Sequence, residues 1–282
     1  MDYVELNIAI ANEEQGEILI AELAEFPFES FQYEAKLHLK GYIPQDKLAD
    51  CKGEVDELLA SYGISDARYI SIETQNWNAE WESNFERVEV GNRLLIRAPF
   101  HDADPSFERE VIIMPKMSFG TGHHATTHLM AEWTMDLGAA GVIDGKEGLD
   151  MGSGTGVLAI VAAKEGAKWV DAVDIDEWAD ENCRENIAVN GVAERVHPML
   201  GDFSRVEGRT YDFILANINR NILVANMPRF AAALHMGGVL LISGFLEQDI
   251  ETLRSAATNN GLTPIAERVR DGWVVMKIEK IG

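Results

Sequence analysis

The sequence predicts an α/β protein, with a doubly wound, mostly parallel sheet preceded by a small α+β unit of ferredoxin-like order. Three observations carry this reading. From about Lys146 onward, short apolar runs alternate with longer stretches of helical period, the rhythm of βαβ units. A glycine-rich turn, Asp150 to Gly156, follows the first of these runs directly and opens a helix. The first 75 or so residues order as β-α-β-β-α-β, the ferredoxin-like split unit.

The elements follow in order. Val4, Leu6, Ile8 and Ile10 alternate with mostly polar neighbours, as a half-buried strand requires. Asn12 is placed to cap a helix carrying Ile18, Leu19, Glu22 and Leu23, with Pro27 just beyond its end. Strands are expected at 28–33 and 36–42, a helix at 46–62 closed by Gly63, and a fourth strand at 67–73. The segment 76–85, with Trp77 and Trp81 at i and i+4, reads as a linker of one or two helical turns and a candidate hinge. The expected domains are therefore 1–75 for recognition, 76–86 as linker and 87–282 for catalysis. Two runs, 88–98 and 110–114, look like strands entering the second domain, and a helix is expected at 126–137. The βαβ part then places strands at 149–151, 169–173, 196–200, 211–216 and 239–242. Helices fall at 157–165, 177–190, 221–234 and 247–260. Strands 265–269 and 273–278, joined across Asp271-Gly272, close the chain as an antiparallel hairpin.

Charge narrows the class of partner. The 282 residues carry 24 basic and 47 acidic side chains, net −23, and residues 1–100 alone carry 8 basic against 20 acidic. Both halves repel a phosphate backbone, so direct nucleic-acid binding is not expected, whereas a cationic partner is steered in. The two cysteines, Cys51 and Cys183, cannot build a disulfide framework and read as packing residues in a reducing, cytoplasmic compartment. No signal peptide and no membrane span are expected from the apolar runs, and a monomer is expected.

The chemistry concentrates in four places. Asp150-Met151-Gly152-Ser153-Gly154-Thr155-Gly156 offers main-chain N–H groups at close approach, in a G-x-G-x-G spacing rather than the G-x-G-x-x-G of dinucleotide loops. Asp174 ends the next strand, 22 positions after Gly152, where its oxygens can accept both ribose hydroxyls of a nucleoside. Asp202 follows the third strand and can accept an adenine amino group or bond its own backbone. Asp176 can reach the ribose or cap the helix after it. Asn217 ends the fourth strand, where its amide oxygen and a neighbouring carbonyl can orient an amine; closing a β-to-α turn is the other reading. Finally, Phe119 to Thr127 (FGTGHHATT) sets flexible main chain and hydroxyls at a helix N-terminus, which suits an amino-acid carboxylate. His123, His124 and His128 lack an acidic third ligand at metal spacing, so no metal is expected.

These blocks together, MPKMSFGTGHHATT, LDMGSGTGVLAI, VDIDEWADENCRENIAVNG and YDFILANI behind a small N-terminal domain, resemble the PrmA family, bacterial methyltransferases of the large-subunit ribosomal protein L11. The resemblance covers the catalytic half closely and the N-terminal half in size and layout. It implies a Rossmann-like methyltransferase sheet and S-adenosylmethionine as cofactor. Contacts would come from Thr127, from Gly152 in the glycine loop, from Asp174 through the ribose, and from Asn217 beside the methionine moiety, with Gly154 and Asp202 added as cofactor-binding candidates by the reading of the loop and strand end above. Phe119 would enclose the sulfonium end, and Asn217 would be the catalytic residue. The implied substrate is a basic ribosomal protein, methylated on lysine side chains and its N-terminal amine. Ala125, Ser153 and Asn219-Arg220 depart from the family's usual Pro, Cys and small apolar residues. A methyltransferase of a small-molecule amine, and a cofactor-binding docking protein without turnover, are the alternatives the sequence leaves open.

Overall fold

The computed structural model describes residues 3–34, 37–72, 85–116 and 118–281. The chain forms two compact units, Met1–Asn84 and Phe85–Gly282. The expected linker falls almost wholly outside the described residues, which take up again at Phe85.

In the first unit, β1 (Tyr3–Ala9), β2 (Ser30–Tyr33), β3 (His38–Pro44) and β4 (Arg68–Ile72) form an antiparallel sheet of order β2-β3-β1-β4, the ferredoxin-like arrangement. The alternation seen in the sequence buries Val4, Leu6 and Ile8 against Leu19 and Leu23 of one helix and Val55 and Leu59 of the other. Asn12 caps the helix Glu13–Leu23 by accepting from the Gln15 N–H at 2.9 Å, and the Gln15 side chain accepts from the Ala11 N–H in return.

The second unit is built on a seven-stranded sheet. Its strands are β8 (Glu147–Met151), β9 (Trp169–Asp174), β10 (Val196–Leu200), β11 (Tyr211–Asn217), β12 (Leu234–Leu246), β13 (Thr263–Arg270) and β14 (Trp273–Glu279). The order is β10-β9-β8-β11-β12-β14-β13, parallel through β12 and antiparallel in the last two pairings. Strand order reverses between β8 and β11, and the chain leaves these two strands in opposite directions. That divergence opens a crevice at their C-terminal ends. Helices cover both faces: Phe213 and Leu215 of β11 belong to one core, and Ile214 and Ala216 to the other.

Three boundaries differ from the sequence expectation. Residues 88–98 form two short strands, β5 (Val88–Val90) and β6 (Leu94–Arg97), because the chain reverses at Gly91. With β7 (Arg109–Ile112) they make a separate three-stranded sheet rather than entering the large one. The helix expected to reach residue 234 ends at Ala233, since Leu234 already pairs with Tyr211 as the start of β12. The helix expected from 247 begins with a 3₁₀ turn, Glu247–Asp249, before Ile250–Asn259. Among the described residues no helix is long and apolar enough to cross a membrane.

Candidate functional site

The site is assembled where β8 and β11 part. After β8 the chain turns through Gly152-Ser153-Gly154, and the N–H groups of Gly152 and Ser153 both donate to the Val173 carbonyl at the end of β9, at 2.8 and 3.1 Å. Gly154 N–H donates to Asp174 Oδ2 at 2.8 Å, and Asp176 N–H donates to Asp174 Oδ1 at 3.1 Å. Two backbone donors thus hold the Asp174 carboxylate rigid at the cleft wall. Each oxygen keeps a lone pair for a further donor, as a ribose diol supplies.

The loop before the helix Ala125–Ala139 is strapped onto this turn. The Phe119 carbonyl accepts from Thr155 N–H at 2.9 Å, and the Gly120 carbonyl accepts from the Thr155 hydroxyl at 2.7 Å. This contact requires glycine at 154, where φ is +53° and an added Cβ would lie 2.3 Å from the Phe119 carbonyl oxygen. The Phe119 ring, 54% exposed, leans on His124 with centroids 5.3 Å apart. His124 itself caps the helix through the Thr126 N–H, and the His123 ring bonds the Glu86 carbonyl. His123 and His124 are thus engaged in loop geometry, and no group of three metal-ligating side chains gathers among the described residues.

A cleft of about 470 Å³ results, within the size range of small-molecule sites. Phe119, Gly152, Gly154, Asp174, Asp202 and Asn217 all line it. Thr127, the seventh residue singled out from the sequence, does not: it is buried at 1% exposure behind Asn217, whose amide nitrogen faces its hydroxyl at 3.4 Å. That contact turns the amide oxygen of Asn217 into the atom left to accept. Asp202 lines the cleft and accepts from the Ser204 N–H two residues on. The Ser204 hydroxyl and N–H hold its carboxyl below the usual range. Asp176 caps the helix Glu177–Val189 through the Trp178 N–H.

Sequence reasoning missed part of the wall. Ile175 (74% exposed) and Ile218 supply apolar surface, and Ile222, Asn226 and Arg229 line one side from the helix Arg220–Ala233. Their i, i+4, i+7 spacing marks one helix face and is the signal that could have found them. Beneath the turn, Asp150 is fully buried, with one oxygen accepting from Ala159 N–H and the other without a partner among the described residues. Burial pushes its carboxyl up to about 7, the Ala159 N–H works against this, and the neighbouring Asp174 adds to it. Glycine turn, paired carboxylate, apolar walls and Asp202 together fit a nucleoside cofactor.

The comparisons with known proteins agree. The family model described as Ribosomal protein L11 methyltransferase (PrmA) matches residues 6–281. A ribosomal protein L11 methyltransferase of Porphyromonas gingivalis is 41% identical over 267 residues, covering 93% of this chain and 89% of that one. One of Phocaeicola vulgatus is 38% identical over 285 residues, covering 98% and 99%. The crystal structure of a ribosomal protein L11 methylase from Lactobacillus delbrueckii subsp. bulgaricus shares the fold with a TM-score of 0.63 at 24% identity, covering 70% of this chain and all of that one.

Two outcomes are expected of this site. Asp174→Ala should weaken S-adenosylmethionine binding about 10- to 100-fold in calorimetry, the worth of charge-assisted hydrogen bonds to a diol. For Asp150, the folded carboxyl titrates near 7 and the unfolded one near 3.8, so the native state holds a proton that the unfolded chain has lost. Wild-type stability should therefore fall relative to Asp150→Asn as pH rises between these values, and run parallel to it above them. Urea unfolding of both proteins across pH checks this, and a flat difference would mean an ionised Asp150.

Proposed function

Because the chain belongs to the ribosomal protein L11 methyltransferase (PrmA) family, we infer that it transfers methyl groups from S-adenosylmethionine to ribosomal protein L11. The acceptors are amines, lysine side chains and the N-terminal amine. The observation that carries this reading in the geometry is the pairing of Asn217 with Ile218. Asn217, at the C-terminal end of β11, and Ile218 beside it line the same cleft as Gly152 and Asp174.

Bound S-adenosylmethionine supplies a methyl group on a sulfonium, a good leaving group. The protein's work is to deliver a neutral amine in line with it. Asp174 and the glycine turn hold the nucleoside end, and Phe119 covers the cleft from the strapped loop. Asn217 and the Ile218 carbonyl accept the two N–H bonds of the amine and so point its lone pair at the methyl carbon. Transfer would form the N–C bond at the expense of the S–C bond, and the nitrogen would then give its extra proton to water. A lysine ammonium has a reference pKa of about 10.4 and no lone pair. Apolar walls at Phe119, Ile175 and Ile218 favour the neutral form by desolvation, whereas a carboxylate beside the nitrogen would oppose it.

The N-terminal unit is assigned to substrate recognition. One face of its sheet is buried under the helices. The other presents Tyr42 and Ile70 around Glu5, which pairs with Lys40 at 3.3 Å. A basic ribosomal protein suits this acidic unit, and long-range attraction would speed its arrival. A cytoplasmic monomer that does not bind nucleic acid directly completes the reading.

The direct test incubates the protein with labelled S-adenosylmethionine and purified ribosomal protein L11, followed by intact mass. Mass gains in multiples of one methyl group are expected. Asn217→Ala should cut kcat by roughly 100-fold while leaving the cofactor Kd unchanged within about twofold, the pattern of a residue that aligns only the acceptor. Unchanged turnover would remove Asn217 from the mechanism.

A further inference from the structure

The residue after Asn217 is held in an unusual way. Ile218 N–H donates to the Ser243 carbonyl at 3.1 Å, which fixes the peptide beyond the end of β11. Among the described residues no donor reaches the Ile218 carbonyl oxygen. The oxygen lies against Gly244 instead. A Cβ added there would stand 2.2 Å from that oxygen, 2.8 Å from its carbon and 3.2 Å from the Ile218 nitrogen. Gly244 is also the extra residue of a bulge. Ser243 pairs with Asn217 across the parallel ladder, while the register with β14 shifts between Ser243 and Phe245. Its φ of +98° belongs to glycine. From the other side Gly152 makes similar room, since a Cβ there would lie 2.1 Å from Ile218 Cγ2.

We propose that Gly244 is a positioning residue for methyl transfer: its missing side chain lets the Ile218 carbonyl stand beside the Asn217 amide as the second acceptor for the incoming amine. The proposal rests on reading this cleft as the methyl-transfer site. A neutral primary amine has two N–H bonds and one lone pair, so two acceptors fix both hydrogens and thereby the lone pair. After one methyl is added, one N–H remains on the neutral nitrogen, and after two none does. The carbonyl that Gly244 keeps in place therefore matters most for the first methyl and least for the third.

The test compares full-length Gly244→Ala with Gly237→Ala. Gly237 lies on the same strand at φ +79° with open space around an added Cβ, so its substitution reports backbone strain alone. The acceptors are unmodified ribosomal protein L11 and the same protein reductively dimethylated at its amines. Gly244→Ala should lower kcat on the unmodified protein by roughly 10- to 100-fold, the effect of a displaced acceptor. It should leave kcat on the dimethylated protein and the S-adenosylmethionine Kd close to those of Gly237→Ala. An unchanged kcat, an equal loss on both acceptors, or a parallel loss of cofactor affinity overturns the proposal. Should the variant be unstable, the same comparison is made in the cold with saturating cofactor, which favours the folded state, and the same outcomes support or overturn the role. Absence of transfer by the wild type would instead overturn the function, and this role with it. Wild-type transfer with an insensitive variant sinks only the role of Gly244.

Discussion

Three segments meet on the turn after β8 because no side chain stands there. A Cβ at Gly152 would strike Ile218, one at Gly154 the Phe119 carbonyl, and one at Gly156 the sulfur of Cys183, each within 2.5 Å. The turn is thus the point on which the β11 end, the loop before the helix Ala125–Ala139 and the helix Glu177–Val189 are referenced to one another. Close packing makes this a rigid arrangement, since a shift in any one contact would be passed to the others. Strand end, loop and helix are all set against one piece of backbone.

Electrostatics follow the same layout. Asp174 lines the cleft and accepts from two backbone donors, while Asp150, fully buried, accepts among the described residues from the Ala159 N–H only. Burial pushes the Asp150 carboxyl up to about 7, and the nearby Asp174 adds to the shift. Cys183, packed beside the turn, is likewise pushed up to about 12 by burial and is a packing group rather than a nucleophile.

The catalytic demand is modest in chemistry and strict in geometry. A sulfonium already leaves readily, so the protein contributes alignment and a desolvated amine. That division matches what lines the β11 end of the cleft, an amide at Asn217 and an apolar side chain at Ile218. Thr127 stands buried behind Asn217, its hydroxyl facing the amide nitrogen.

Much of this is legible without coordinates. The βαβ rhythm, the glycine turn and an acid at the end of the following strand depend on local period and short spacing, which a sequence displays directly. Asp174, Asp202 and Asn217 stand out because strand ends in such a sheet must line the crevice. What the sequence cannot show is contact between distant segments. Nothing in its pattern reveals that Gly244 touches Ile218, that Phe119 rests on Gly154, or that Thr127 stands behind Asn217. Residues 88–98 split into two strands because the turn at Gly91 lets a separate sheet form, and Leu234 becomes a strand because Tyr211 is there to pair with it. Local period decides what each segment is. Which backbones can approach closely enough to share a site is decided only when the sheet closes and missing side chains meet their partners.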